Sequence, residues 1–202
     1  MRDRYRNFAA LNAAEPAEAF SISICDRGSR LAVAAPHGGG IEPGTSEIAV
    51  AIARADLSYY LFEGHRRHDN TALHITSANF DEPRALALLH RAACVLTVHG
   101  EASETEAVYL GGLDASLKHA LSTALANRGY VVGEKASLLA LDPRNICNVG
   151  STGAGVQLEL SAGLRRSFFE SLSRAGRAKP TARLAEFGAI VRETALAGIA
   201  LC

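Results

Sequence analysis

Short apolar runs alternate with segments of helical periodicity along the 202-residue chain. Apolar runs bounded by turn residues predict β-strands, whereas apolar residues at spacings of about three and four predict amphipathic helices. The predicted strands are 20–25, 31–36, 59–64, 72–77, 93–100, 108–112, 130–133 and 155–161. The predicted helices are 46–55, 83–92, 114–128, about 163–175 and 181–200. This alternation predicts an α/β/α fold of three layers with a central mixed, largely parallel sheet.

Local signals at the ends of these elements refine the prediction. The turn at 26–29 indicates a hairpin between the first two strands. Thr45 or Ser46 is a suitable N-cap for the first predicted helix. Asp114 is the expected N-cap of 114–128, which Gly129 would end. No Pro-, Gly- or Ser-rich linker divides the chain, so we expect a single domain over 1–202.

Composition excludes several classes of function. Lys and Arg number 21 and Asp and Glu also number 21, so the chain lacks the positive surplus of a general nucleic-acid binder. Tryptophan is absent, which argues against a stacking platform for single-stranded nucleic acid. No apolar run approaches the roughly 20 residues that span a bilayer. The first twenty residues do not resemble a secretory signal, and we therefore expect a cytoplasmic protein with no membrane partner, released by lysis if the gene is phage-derived.

The four cysteines match no metal-binding or redox motif, and we expect reduced, mostly buried thiols. They are Cys25, Cys94, Cys147 and Cys202. Cys147 lies in a polar segment, but no neighbouring residue supplies a base, so it is not assigned as a nucleophile.

Two histidines follow predicted strands directly and have glycine neighbours. His37 precedes three glycines after 31–36, and His99 precedes Gly100 at the end of the strand 93–100. Ligand sites of open α/β sheets lie beyond the carboxyl ends of strands, so both imidazoles should reach one rim. Glu42 follows five residues after His37, and two histidines with one carboxylate form a ligand set of catalytic zinc sites. From the spacing alone, it is equally possible that both histidines are turn residues that only form local hydrogen bonds.

The segment 155–161 alternates between apolar and polar residues. Gln157, Glu159 and Ser161 share one face, opposite Val156, Leu158 and Leu160. If the polar face lines the metal cleft, Glu159 can act as the general base toward water and later as the acid toward the leaving amine. The alternative is an edge strand with one face in solvent.

Five motifs resemble the phage and prophage poly-γ-glutamate hydrolase family, in the same order. They are APHGGGIEPGTSEIA, LHITSANFDEP, LTVHG, NICN and GVQLELSAGLR, within about residues 30–166. The resemblance implies a zinc carboxypeptidase-like fold, with one Zn²⁺ held by His37, Glu42 and His99 and with Glu159 as the catalytic glutamate. It also implies zinc-dependent hydrolysis of γ-glutamyl amide bonds. Two alternative functions stay open. One is a deacylase or peptidase acting on another small amide, and the other is a metal-holding binding protein without turnover.

A polyanionic or small amide substrate needs further contacts. Arg165 is the leading candidate for binding a substrate carboxylate, since its planar fork binds both oxygens; the alternative is a solvated arginine at a helix start. Asn79 and His74 are predicted to line the cleft, although His74 would equally suit the core. The loop 64–70 is basic, and we expect it to attract a polyanion rather than to hold a second metal through His65 and His68.

Overall fold

The structure, a computed structural model, describes residues 3–200, which form seven strands in one mixed sheet with helices on both faces. The strands are β1 (Phe20–Cys25), β2 (Leu31–Gly39), β3 (Ser58–Gly64), β4 (Cys94–Glu101), β5 (Val108–Gly111), β6 (Val132–Gly133) and β7 (Val156–Ser161). Their order is β1-β3-β2-β4-β7-β5-β6. The four central strands run parallel, whereas β1 and β5 are antiparallel to their neighbours β3 and β7. The predicted fold class is thereby confirmed.

Helices cover both faces of the sheet, as expected for strands that are apolar on both sides. They are α1 (Phe8–Ala14), α2 (Thr45–Ala53), α3 (Pro83–Leu89), α4 (Ala115–Ala126), α5 (Ala162–Ser167), α6 (Arg174–Arg177) and α7 (Ala182–Ala200). One apolar cluster joins the sheet to α2, α4 and α7, and a second joins the other face to α1 and α3. Within residues 3–200, no helix combines the length and hydropathy that a bilayer crossing requires.

The predicted hairpin between β1 and β2 is wrong. β1 pairs antiparallel with β3, and β2 lies between β3 and β4. The reason is burial: every residue of β2 is buried, so this strand needs a neighbour on each side and a helical layer on each face. β1 is only half-buried and takes the edge of the sheet.

The predicted strand 72–77 is also wrong. This segment overlaps the end of one 3-10 turn, Asn70–Leu73, and the start of another, Ser77–Asn79. Leu73 and Ile75 are fully buried from this irregular segment, which explains the apolar alternation that imitated a strand. No sheet edge is available there, because β3 already pairs with β1 and β2.

Helix boundaries differ where glycine or aromatic residues intervene. The cap of α2 is neither Thr45 nor Ser46 but Gly44, whose φ of 102° favours glycine. The predicted helix 163–175 is two short helices, α5 and α6, because the chain turns inward after α5 to bury Phe168 and Phe169. Asp114 caps α4 as predicted, with its carboxylate accepting from the backbone N–H of Leu117.

Candidate metal centre and active site

The carboxyl ends of β2 and β4 bring the two histidines together. These strands are parallel neighbours, with Ala34 opposite Thr97, so both strands end at the same rim of the sheet. A register shift between Ala35 and Gly38 precedes the loop. The backbone N–H of Glu42 donates to the carbonyl of His37 over 2.8 Å, which folds the loop back toward β2. Glu42 therefore returns to the histidine that precedes it by five residues.

His37, Glu42 and His99 form one cluster of potential ligands. The Nδ1 atoms of the two histidines lie 3.1 Å apart. The Glu42 carboxylate lies 3.2 Å from Nδ1 of His37 and 3.8 Å from Nδ1 of His99. All three ligand atoms lie within 4.8 Å of one another, and within residues 3–200 this is the only such group of His, Cys, Asp and Glu.

These distances fit a tetrahedral zinc ion. Bonds of about 2.0–2.1 Å to two imidazole nitrogens would place those nitrogens roughly 3.3 Å apart, close to the separation present here. Three protein ligands also leave one position open, as catalytic rather than structural zinc sites do. The donor set is thus suited to a single divalent ion, although other first-row metals accept the same ligands.

Hydrogen bonds around the cluster orient the ligand atoms. Nε2 of His37 lies 2.8 Å from the carbonyl of Ile75, which can only accept, so this nitrogen carries the proton and Nδ1 presents its lone pair. The backbone N–H of Gly100 donates to the Glu42 carboxylate over 2.8 Å. A Cβ at Gly100 would lie 2.7 Å from Cζ of Arg165 and 2.9 Å from Cβ of Glu42, so a larger residue would displace the ligand.

The protonation states of Glu42 and His99 favour a metal site. Burial acts to lower the pKa of His37, but the charge of Glu42 raises it, so an ion would have to displace a proton from this imidazole. Burial would raise the pKa of Glu42, but the adjacent His37 and His99 and the Gly100 N–H lower it to about 2. Burial, together with the charge of His37, lowers the pKa of His99 to about 3. An ionised carboxylate and a neutral imidazole are the forms that bind a metal ion.

Glu159 lies beside this cluster on a central strand. β7 runs between β4 and β5, with Glu159 opposite His99, so the alternative of a solvent-facing edge strand is wrong. Burial, followed by the charge of Glu42, raises the pKa of the Glu159 carboxyl to about 8. A carboxyl group so perturbed in a cleft is a candidate for proton transfer.

A chain of two side-chain amides orients Glu159. Nε2 of Gln157 donates to Oε1 of Glu159 over 2.8 Å, and Nδ2 of Asn145 donates to Oε1 of Gln157 over 3.3 Å. All three side chains are buried. Sequence reasoning placed Gln157 on the correct face but gave it no role, and it missed Asn145. The only signal was the motif NICN, because the contact depends on how the 3-10 turn Ile146–Asn148 packs.

The cluster and Glu159 open into a cleft of about 560 Å³. His74 also lines this cleft, with its ring centroid 4.0 Å from that of His37 and its Nδ1 atom 2.8 Å from Oδ1 of Asp3. The sequence gave no indication of the Asp3 contact, which joins positions 71 residues apart. Asn79 is exposed and is not among the described residues that line the cleft.

Arg165 is buried rather than solvated, with 5% of its surface exposed. Its guanidinium donates to three backbone carbonyls, those of Leu160, Pro43 and Glu101. The arginine therefore ties together the end of β7, the Glu42 loop and the end of β4. Its side chain is not among the described residues that line the cleft.

Other candidates do not join the centre. Nε2 of His65 lies 2.7 Å from Oγ of Ser21, and neither His65 nor His68 belongs to the ligand group within residues 3–200. Cys147 is buried, and burial raises the pKa of its thiol to about 12, so it is not a nucleophile. Cys25, Cys94 and Cys147 are reduced thiols, as expected, whereas Cys202 lies outside the described residues.

A three-layer α/β fold with a His–Glu–His cluster and a buried glutamate beside it is typical of metal-dependent amide hydrolases. Residues 5–190 match the family model described as poly-gamma-glutamate hydrolase. The chain belongs to the poly-gamma-glutamate hydrolase family, as the sequence motifs predicted.

Individual relatives agree in sequence and in structure. The SPbeta prophage-derived protein YoqZ of Bacillus subtilis is 39% identical over 178 residues, which are 87% of this chain and 65% of YoqZ. A bacteriophage poly-gamma-glutamate hydrolase superposes with a TM-score of 0.94 at 31% identity and covers 100% of both chains. A zinc-free apo structure of YndL superposes with a TM-score of 0.91 at 36% identity and covers 96% of this chain and 97% of that one. The chain thus spans just under two thirds of YoqZ but the full length of the phage enzyme.

Proposed function

We propose that the protein is a zinc-dependent hydrolase of γ-glutamyl amide bonds, with poly-γ-glutamate as its substrate. The observation that carries this proposal is the convergence of His37, Glu42 and His99 within 4.8 Å beside the buried Glu159. Membership in the poly-gamma-glutamate hydrolase family supports the choice of substrate. The zinc-free state of the solved YndL structure supports the choice of metal.

His37, Glu42 and His99 would hold one Zn²⁺ through two Nδ1 atoms and a carboxylate. An ion bound there supplies a Lewis acid that polarises the scissile carbonyl and makes water more acidic. Glu159 is proposed to accept the proton of the attacking water and then to deliver it to the nitrogen of the leaving amine. The Gln157 amide holds one carboxylate oxygen of Glu159 and leaves the other free for that transfer.

Other side chains are proposed to position the substrate and the ligands. His74 stays the proposed substrate contact, because it lines the cleft and Asp3 fixes its ring. Arg165 was expected to bind a substrate carboxylate, but its three carbonyl contacts support a different proposal, that it positions the Glu42 loop against β4. A contact with Asn79 would require a substrate that extends beyond the cleft.

Polymer length after incubation with purified protein tests the proposal. We expect zinc-loaded protein to shorten poly-γ-glutamate, chelator to stop the reaction, and added zinc to restore it, with one zinc per chain by metal analysis. A panel of short γ-linked and α-linked glutamyl peptides separates this activity from a deacylase or a general peptidase. Unchanged polymer length with a full complement of zinc would contradict the proposal.

A further inference from the structure

A second cavity, of about 590 Å³, opens at the same rim of the sheet. It lies on the α2 side, because Glu47 of α2 lines it together with Gly39 and Gly40. His37 instead packs against Phe80 on the opposite side. The loop between β2 and α2 therefore separates this cavity from the candidate active-site cleft.

The lining of this second cavity is basic. Five of its side chains are basic, against two acids, Glu47 and Glu63; they are His65, Arg66, Arg67, Arg174 and Arg177. Arg177 donates to Glu47 over 2.8 Å, and Arg66 pairs with Glu15 over 3.3 Å.

Two of these arginines are free to bind a ligand. The side chains of Arg67 and Arg174 are exposed, and their guanidinium groups make no hydrogen bond or ion pair in the described range 3–200. Arg67 is presented by a fixed loop, because the Asn70 side chain bonds both the N–H and the carbonyl of Arg66, over 2.9 and 2.7 Å. A guanidinium group can bind both oxygens of a carboxylate through parallel hydrogen bonds.

The candidate active-site cleft, by contrast, offers no basic side chain to a substrate carboxylate. Neither lysine nor arginine occurs among the described residues that line it, whereas four acids do, namely Glu42, Glu101, Asp142 and Glu159. The two basic side chains beside it are engaged by these acids, Lys135 by Glu101 and Arg144 by Asp142. A polymer with one carboxylate per unit therefore needs positive charge outside the cleft to reach the cleavage point.

We propose that the basic cavity is a carboxylate-binding subsite, in which Arg67 and Arg174 hold units of a polyanionic chain away from the bond that is cleaved. Its identification with a poly-γ-glutamate chain rests on the function proposed above. The loop between β2 and α2 would then carry the metal ligand Glu42 on one side and face bound polymer on the other.

The double variant Arg67→Gln/Arg174→Gln tests the subsite. We expect its KM for long poly-γ-glutamate to rise about fivefold at low salt, with kcat and the hydrolysis of a γ-glutamyl dipeptide unchanged, since each exposed charge pair contributes little. Raising the salt concentration should reduce the difference from the wild type. Thermal melting checks that this double variant, and the control variant described next, are folded.

The matched control is Arg30→Gln/Arg54→Gln. Both side chains are exposed and form no hydrogen bond or ion pair within the described range, and they lie at the opposite end of the sheet, before β2 and after α2. This control removes the same charge, so a general electrostatic effect would raise its KM equally. An equal rise in the control, or no rise in the Arg67 and Arg174 variant, would overturn the subsite.

Binding measured in chelator separates the subsite from the proposed function. Metal-free wild-type protein should bind poly-γ-glutamate about fivefold more tightly than the Arg67 and Arg174 variant, whether or not the polymer is ever cleaved. That result without hydrolysis by the zinc-loaded wild type would leave the subsite standing and reject the activity. Equal polymer affinity of the two proteins would reject the subsite even where hydrolysis is observed.

Discussion

The two faces of β4 and β7 differ in what they bury toward the carboxyl ends of these strands. On one face Leu96, Val98, Leu158 and Leu160 join the apolar cluster that includes α7. On the other face of the same two strands lie Thr97, His99, Gln157 and Glu159, all buried and all polar. This pair of strands thus supplies stability on one face and chemistry on the other. Consecutive residues of each strand alternate between the two faces. Substitutions on the two faces should therefore fail in different ways.

Glu159→Gln should give the largest effect and should act on the polar face alone. The amide keeps the shape of the side chain but cannot accept the proton of water, so we expect kcat to fall about 10³-fold. Zinc content and thermal stability should match the wild type, because Glu159 is not among the proposed ligands. Wild-type kcat in this variant would show that another group is the base.

Leu96→Ala tests the apolar face. Leu96 is fully buried against the helical layer, so its truncation should lower the free energy of unfolding by about 3 kcal/mol, measured by denaturant titration. Below the melting temperature, zinc stoichiometry and kcat should be retained. A loss of zinc in the folded variant would mean that the two faces are coupled, contrary to the comparison.

Gln157→Leu should give the smallest of the three effects and sharpens the role of the amide chain. Without the Gln157 donor, the Glu159 carboxylate loses its fixed orientation, and we expect kcat to fall about 10-fold. KM and zinc content should change little, whereas a merely structural role would alter stability and leave kcat unchanged. Asn145→Ala, one step further from Glu159, should reduce kcat less; a larger reduction would contradict this order.

Much of this contrast is encoded locally and could be predicted. The alternation in 155–161 assigns Glu159 and Leu158 to different faces without any knowledge of neighbours. The positions of His37 and His99 after apolar runs predict that they share a rim, because parallel strands end together. The Asp114 cap likewise depends on residues within one helical turn.

Features that depend on distant partners could not be predicted. The turn near Gly28 indicates a reversal of the chain but not which strand β1 then pairs with, and that choice follows from the burial of β2. Arg165 bonds carbonyls of Pro43 and Glu101, which lie 122 and 64 residues away and have no side-chain signature. The amide chain from Asn145 requires the packing of an irregular segment, and sequence periodicity carries no information about such segments.

The three carbonyl contacts of Arg165 bear on how firmly the proposed metal ligands are held. A guanidinium that joins three separate stretches of backbone keeps the ends of β4 and β7 and the loop with Glu42 in one arrangement. Binding of the proposed ion would then require little rearrangement of the backbone. A centre held in this way would lose less chain entropy on binding an ion than a loop that the metal itself has to order.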